Sequence, residues 1–67
     1  MKGTPDLTLA IPRGGFGAFY LEMKKPGEKP EDHQFKQMDR LRAAGNCVEW
    51  ADNAESAKEK IINYLSL

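Results

Sequence analysis

From Asp6 to Ile11 the chain alternates strictly: Leu7, Leu9 and Ile11 are apolar, and Asp6, Thr8 and Ala10 lie between them. A period of two is the signature of a strand with one buried face. Ala18–Lys24 repeats the pattern, with Phe19, Leu21 and Met23 against Tyr20, Glu22 and Lys24, and predicts a second strand. Between them Pro12-Arg13-Gly14-Gly15-Phe16-Gly17 reads as a hairpin loop. After a polar loop over Lys25–Lys29 the period changes. Pro30 suits the first position of a helix, where its missing N–H is not needed. Glu31 and Asp32 suit the first turn. Phe35, Met38, Leu41 and Arg42 follow at helical spacing, and Gly45 suits the residue just past the helix end. Asn46–Trp50 predicts a short third strand with Val48 and Trp50 on one face. Asp52 and Glu55 then resemble a capping box. They open a terminal helix whose stripe is Ala54, Ala57, Ile61 and Leu65, flanked by Ile62. The order is β-β-α-β-α. The strand–helix–strand unit predicts parallel strands. The fold class is α/β, a mixed sheet with flanking helices, in one domain over residues 1–67.

The alternation also places chemistry. A hairpin with one apolar face needs paired residue numbers that sum to an even value. A sum of 28 sets Asp6 opposite Glu22, with Ile11 opposite Gly17 across a five-residue loop; a sum of 30 sets Asp6 opposite Lys24. In both registers Asp6, Glu22 and Lys24 share the polar face at one end of the hairpin. Two carboxylates can hold a hard divalent cation through oxygen, which can polarise a phosphodiester and acidify a water. A neighbouring lysine can orient or deprotonate that water, or stabilise the phosphorane charge. On spacing alone, the plainer account is a solvated polar face with one Glu–Lys pair.

Composition narrows the partners. Ten Lys+Arg balance ten Asp+Glu in 67 residues. Binding to nucleic acid through bulk charge is excluded, and such a partner needs a locally basic surface. No apolar run approaches the ~20 residues of a membrane span, and the first residues contain no apolar stretch of signal-peptide type. A single cysteine, Cys47, excludes an internal disulfide and fits a reducing intracellular setting. Below roughly 70–80 residues burial and chain entropy nearly cancel, which suits a chain that relies on a second copy or on further sequence.

Gly3-Thr4-Pro5-Asp6, then Glu22-Met23-Lys24, then Gln34, then Leu41-Arg42-Ala43-Ala44-Gly45 form an ordered set. Over residues 3–50 this set resembles the virus-type replication-repair nuclease domain (VRR-NUC) of the PD-(D/E)XK superfamily. The resemblance is to its stand-alone phage and bacterial members; the same domain is also fused at the end of the eukaryotic Fanconi-associated nuclease. It implies a restriction-endonuclease-like fold and Mg²⁺- or Mn²⁺-dependent hydrolysis of DNA phosphodiesters, in branched DNA such as Holliday junctions. It implies that Asp6 and Glu22 are metal-binding carboxylates, that the Met23 backbone carbonyl is a further ligand, that Lys24 is the catalytic lysine and that Gln34 is the active-site glutamine. It also implies a homodimer, an intracellular setting and no organic cofactor. One departure is expected. The family usually opens with a helix carrying another acidic residue upstream of Gly-X-Pro-Asp, and here Met1 lies two residues before Gly3.

Lys25 and Lys29 flank the proposed site on a loop and suit phosphate contact. Arg13 is a similar candidate at the far end of the hairpin. Gly14-Gly15-Phe16-Gly17 reads as a turn, since it leads into a strand and lacks Gly-Lys-Ser/Thr. His33 reads as exposed, Cys47 as a buried structural thiol, and Trp50 as a packing residue. The contrasting reading is a non-catalytic DNA-binding or assembly module that retains the nuclease fold.

Overall fold

A computed structural model describes residues 5–67. Gly3 and Thr4 of the N-terminal motif, and the segment where a preceding helix is expected to be missing, lie outside the described residues. Three strands and two helices follow one another as β1 (Leu7–Leu9), β2 (Phe19–Met23), α1 (Asp32–Ala43), β3 (Cys47–Ala51) and α2 (Ala54–Leu65). The sheet order is β1-β2-β3. β1 is antiparallel to β2, with Leu7 opposite Leu21 and Leu9 opposite Phe19. β2 is parallel to β3, with Phe19 opposite Cys47 and Met23 opposite Ala51. The mixed α/β sheet and element order are those expected from the alternation.

Strand parity divides the sheet. Phe19 and Leu21 point to one face, where they join Ala51, Ala57 and Tyr64 in a buried cluster, with Leu7, Leu9, Met23, Cys47 and Ile61 half-buried against it. Phe19, Leu21, Val48 and Tyr64 are the largest fully buried side chains. Each contributes about 1.5–3 kcal/mol through removal of apolar surface from water. Phe19 stacks on Tyr64 at a centroid distance of 5.0 Å. The opposite parity carries Val48 and the polar residues of β2, and α1 lies against β3 there with Met38 buried.

Several boundaries differ from the sequence expectation. β1 spans only Leu7–Leu9, not 6–11. The register sum is 28, but the Ile11–Gly17 pair does not form. Residues 10–18 instead close on themselves through an Arg13–Phe16 bridge, with Phe16 N donating to Arg13 O at 2.8 Å. Gly14 and Gly15 there have φ of +56° and +88°, the left-handed pair of a type I′ turn. Pro12 supplies no N–H for a longer ladder, and the Ile11 carbonyl accepts the Tyr64 hydroxyl.

α1 begins two residues later than expected, at Asp32 and not Pro30. Glu31 is its N-cap and Pro30 precedes it, buried. Its C-terminus closes as expected: Gly45 has φ +94°, Asn46 N donates to Leu41 O, and Gly45 N to Arg42 O, the Schellman pattern. For α2 the N-cap is Asn53, whose side chain accepts from Ser56 N at 2.7 Å, and not Asp52. The inward stripe is Ala57 and Tyr64, buried, with Ile61 half-buried between them, while Ala54 and Leu65 are exposed. Asn53 displaces the start of the helix by one residue, and Tyr64 turns inward onto Phe19 and the Ile11 carbonyl.

Candidate active site

The polar end of the hairpin is assembled by backbone geometry. Asp6 directly precedes β1, and its Oδ2 accepts the Met23 N–H of β2 at 2.8 Å. This side-chain bond continues the ladder where the backbone cannot. In the observed register the residue opposite Met23 is Pro5, which has no N–H to give the Met23 carbonyl. That carbonyl faces the β1 side of β2, because Lys24 N, one residue on, donates to Ala51 of β3.

Glu22, the residue before Met23, has its side chain 14% exposed. Three groups act on it. Gln34 Nε2 donates to Glu22 Oε1 at 3.0 Å. Lys24 Nζ stands 3.7 Å from the same oxygen. The Asp6 charge is close enough to be felt. Burial first, and the Asp6 charge second, push the Glu22 carboxyl above the ordinary glutamate range, and Lys24 draws it part of the way back.

Gln34 is held at its other end as well. Glu31 N donates to Gln34 Oε1 at 2.9 Å, while Gln34 N donates to the Glu31 carbonyl. The amide therefore works in both directions: its oxygen caps the helix and its nitrogen faces the carboxylate.

The structure thus brings together Asp6, Glu22, Met23, Lys24 and Gln34. Lys25 and Lys29 are exposed on the adjoining loop. That loop contains a turn, with Glu28 N donating to Lys25 O and Gly27 at φ +83°. Gly27 N donates to Asp52 Oδ2 at 3.1 Å, and Asn53 Nδ2 to Asp52 Oδ1. These bonds hold Asp52 below the usual aspartate range. Arg13 is exposed in the 10–18 loop, where it bonds the Pro12 carbonyl, at the end of the hairpin away from Asp6. His33 is exposed beside Glu31 and is not part of the cluster. Cys47 is half-buried, and burial followed by the Glu49 charge pushes its thiol up, away from reactivity. Trp50 has Lys60 Nζ 5.8 Å from its ring centroid.

Two supporting residues do not stand out in the sequence. Pro30, which suits the first helical position, masks the role of Glu31, although Glu31-X-X-Gln34 has the spacing of a cap. Asp52 has the spacing of a cap too, but its actual partner, Gly27, is 25 positions away.

The donor chemistry suits a hard cation. Asp6, Glu22 and the Met23 carbonyl supply oxygen alone. Among the described residues no group of three or more His, Cys, Asp or Glu side chains could hold a metal ion.

Comparison with known proteins bears on the fold and the family. A solved structure described as "VRR_NUC domain protein" matches 98% of this chain with a TM-score of 0.91 and 28% sequence identity. This is a VRR-NUC-type domain. A curated relative, "Putative nuclease p44" of Acyrthosiphon pisum secondary endosymbiont phage 1, is 40% identical over 47 residues, 70% of this chain. The VRR-NUC-type chain spans about half of each: 55% of the solved structure and 48% of the phage protein. No protein-family model matches it. No helix among its described residues is long and apolar enough to cross a membrane.

Proposed function

We propose that the chain is the catalytic unit of a Mg²⁺- or Mn²⁺-dependent DNA endonuclease. The observation that carries this reading is the cluster itself: two carboxylates, a lysine and an oriented amide at one strand end, on the VRR-NUC fold. The nuclease name of the phage relative supports it. Asp6, Glu22 and the Met23 carbonyl would hold the ion. When bound, such an ion neutralises charge on a phosphodiester and makes water more acidic.

The remaining work falls to the chain. Lys24, held by Glu22 Oε1, donates to the attacking water or to a phosphate oxygen and stabilises the charge that builds at phosphorus. Gln34 holds the Glu22 carboxylate in place through its amide N–H. Lys25 and Lys29 contact flanking phosphates, and Arg13 engages more distant backbone. The substrate is branched DNA and the active form a homodimer, which presents one cluster to each strand. The reaction takes place inside the cell.

Calorimetric titration with Mn²⁺ tests the site. Binding to the wild-type chain, lost in Asp6→Asn, is the expected result. Lys24→Ala should retain Mn²⁺ and DNA binding while losing cleavage by about 10²-fold or more. Cleavage at the wild-type rate by Lys24→Ala would remove that residue from the mechanism. A folded wild-type chain that binds DNA but no Mn²⁺ would favour the non-catalytic binding module.

A further inference from the structure

The cluster depends on a group that carries no chemistry of its own. The Gln34 amide can be placed with either end toward Glu22. With the nitrogen inward it donates to Oε1, as observed at 3.0 Å. With the oxygen inward, two acceptors would face each other in a largely buried space, and a buried polar group without a partner is costly. What selects the productive orientation is Glu31 N–H, which donates to Gln34 Oε1 at 2.9 Å.

We propose that Glu31 is a positioning residue, acting through its backbone N–H, which presets Gln34 to hold Glu22 in the metal-binding geometry. The inference deepens the metal-site reading above and rests on it. The first N–H groups of a helix have no partner within the helix, so the bond at Glu31 is supplied by the Gln34 side chain. The Glu31 side chain is 76% exposed, with His33 3.5 Å away, and it can cap only the Gln34 backbone N–H, so the bond that orients the Gln34 amide comes from the Glu31 backbone. The start of α1 and the metal site are therefore one hydrogen-bonded unit, running Glu31 N, Gln34 amide, Glu22 Oε1. Outer partners of metal ligands carry this kind of influence, typically 10–100-fold in affinity.

The N-cap backbone permits a direct test. Glu31 has φ −78°, which proline can adopt. Glu31→Pro removes the N–H and leaves the Glu31 carbonyl that accepts from Gln34 N and Phe35 N. Glu31→Ala keeps the N–H and serves as the conservative comparator. Glu31→Pro is expected to bind Mn²⁺ about tenfold more weakly than Glu31→Ala, and this difference should vanish when both carry Gln34→Ala. Equal affinities for the two Glu31 variants would overturn the proposal, as would a difference that persists without Gln34.

A second measurement requires neither metal nor the proline variant. The Glu31 amide should exchange slowly with deuterium in the wild-type chain and quickly in Gln34→Ala. Fast exchange in the wild type, or exchange unaffected by Gln34→Ala, would refute the positioning role. Absence of Mn²⁺ binding by every variant and the wild type would instead remove the metal-site reading, and the exchange result would still decide whether Glu31 orients Gln34.

Discussion

Glu22 is a carboxylate placed where ionisation is unfavourable. Burial and Asp6 raise its pKa, so the folded chain holds the proton more tightly than the unfolded chain does. This contribution favours folding below the ordinary glutamate range and is lost as pH rises through the raised value. Near neutral pH the ionised group therefore costs stability, as expected of a site shaped for a cation. Glu22→Gln should raise the Tm at pH 7 relative to wild type, with the gap closing toward pH 4. Thermal melts across that range decide it, and a Tm at or below wild type at pH 7 would mean that Glu22 is not strained by its surroundings.

Asp52 has the opposite sign. Its carboxyl is held low chiefly by Gly27 N–H and then by Asn53, so it stabilises the fold above the ordinary aspartate range and ceases to as pH falls through its depressed value. In Asp52→Ala, amide exchange at Gly27 should quicken, and the stability deficit should shrink in strong acid. A Gly27 amide that exchanges as in wild type would show that the loop is held by other contacts.

Among the secondary-structure elements, the two ends of α1 differ in legibility. Gly45 is readable because its conformation, φ +94°, is one that side-chain-bearing residues rarely adopt. Gly45→Ala should cost about 1 kcal/mol or more, measured by urea unfolding; an unchanged midpoint would mean that the helix end can reform without the left-handed residue. The start of α1 is less readable, since Pro30 is acceptable both at the first helical position and just before the cap. The start of α2 is ambiguous in the same way, because Asp52 and Asn53 are adjacent and both can cap. Tertiary partners decide between them: Gly27 takes Asp52 and leaves Asn53 to cap. Tyr64 is hidden because Tyr64 and Leu65, three and four residues after Ile61, both continue the stripe at helical spacing, and stacking on Phe19 decides for Tyr64. Strand identity and register are legible because only even-sum pairing buries Leu7, Leu9, Phe19 and Leu21 together. The loop between them is not, because its closure depends on Arg13–Phe16 and on Tyr64, 53 positions from Ile11.

The whole molecule is small, 29 × 25 × 16 Å, and its hydrophobic face and its chemistry lie on opposite sides of one three-stranded sheet. Parity along two strands places the core on one side and Glu22 and Lys24 on the other, with Asp6 at the strand end, bonded to the Met23 N–H. That division is why so much of the site is legible in the sequence alone. Of the site's supporting bonds, that from Gly27 to Asp52 is not, since it joins segments 25 positions apart whose approach depends on the finished fold; that from Glu31 to Gln34 is local, but Pro30 masks it.

Every role assigned to this cluster rests on metal-dependent cleavage of DNA. Digestion of a labelled panel (a four-way junction, a flap, a splayed arm and plain duplex) with Mg²⁺ or Mn²⁺, and again with EDTA, measures it. Branched substrates should be cut, EDTA should abolish the cutting, and Lys24→Ala should lack it. Cutting that persists in EDTA, or no cutting of any substrate by folded chain with either metal, would refute the assignment.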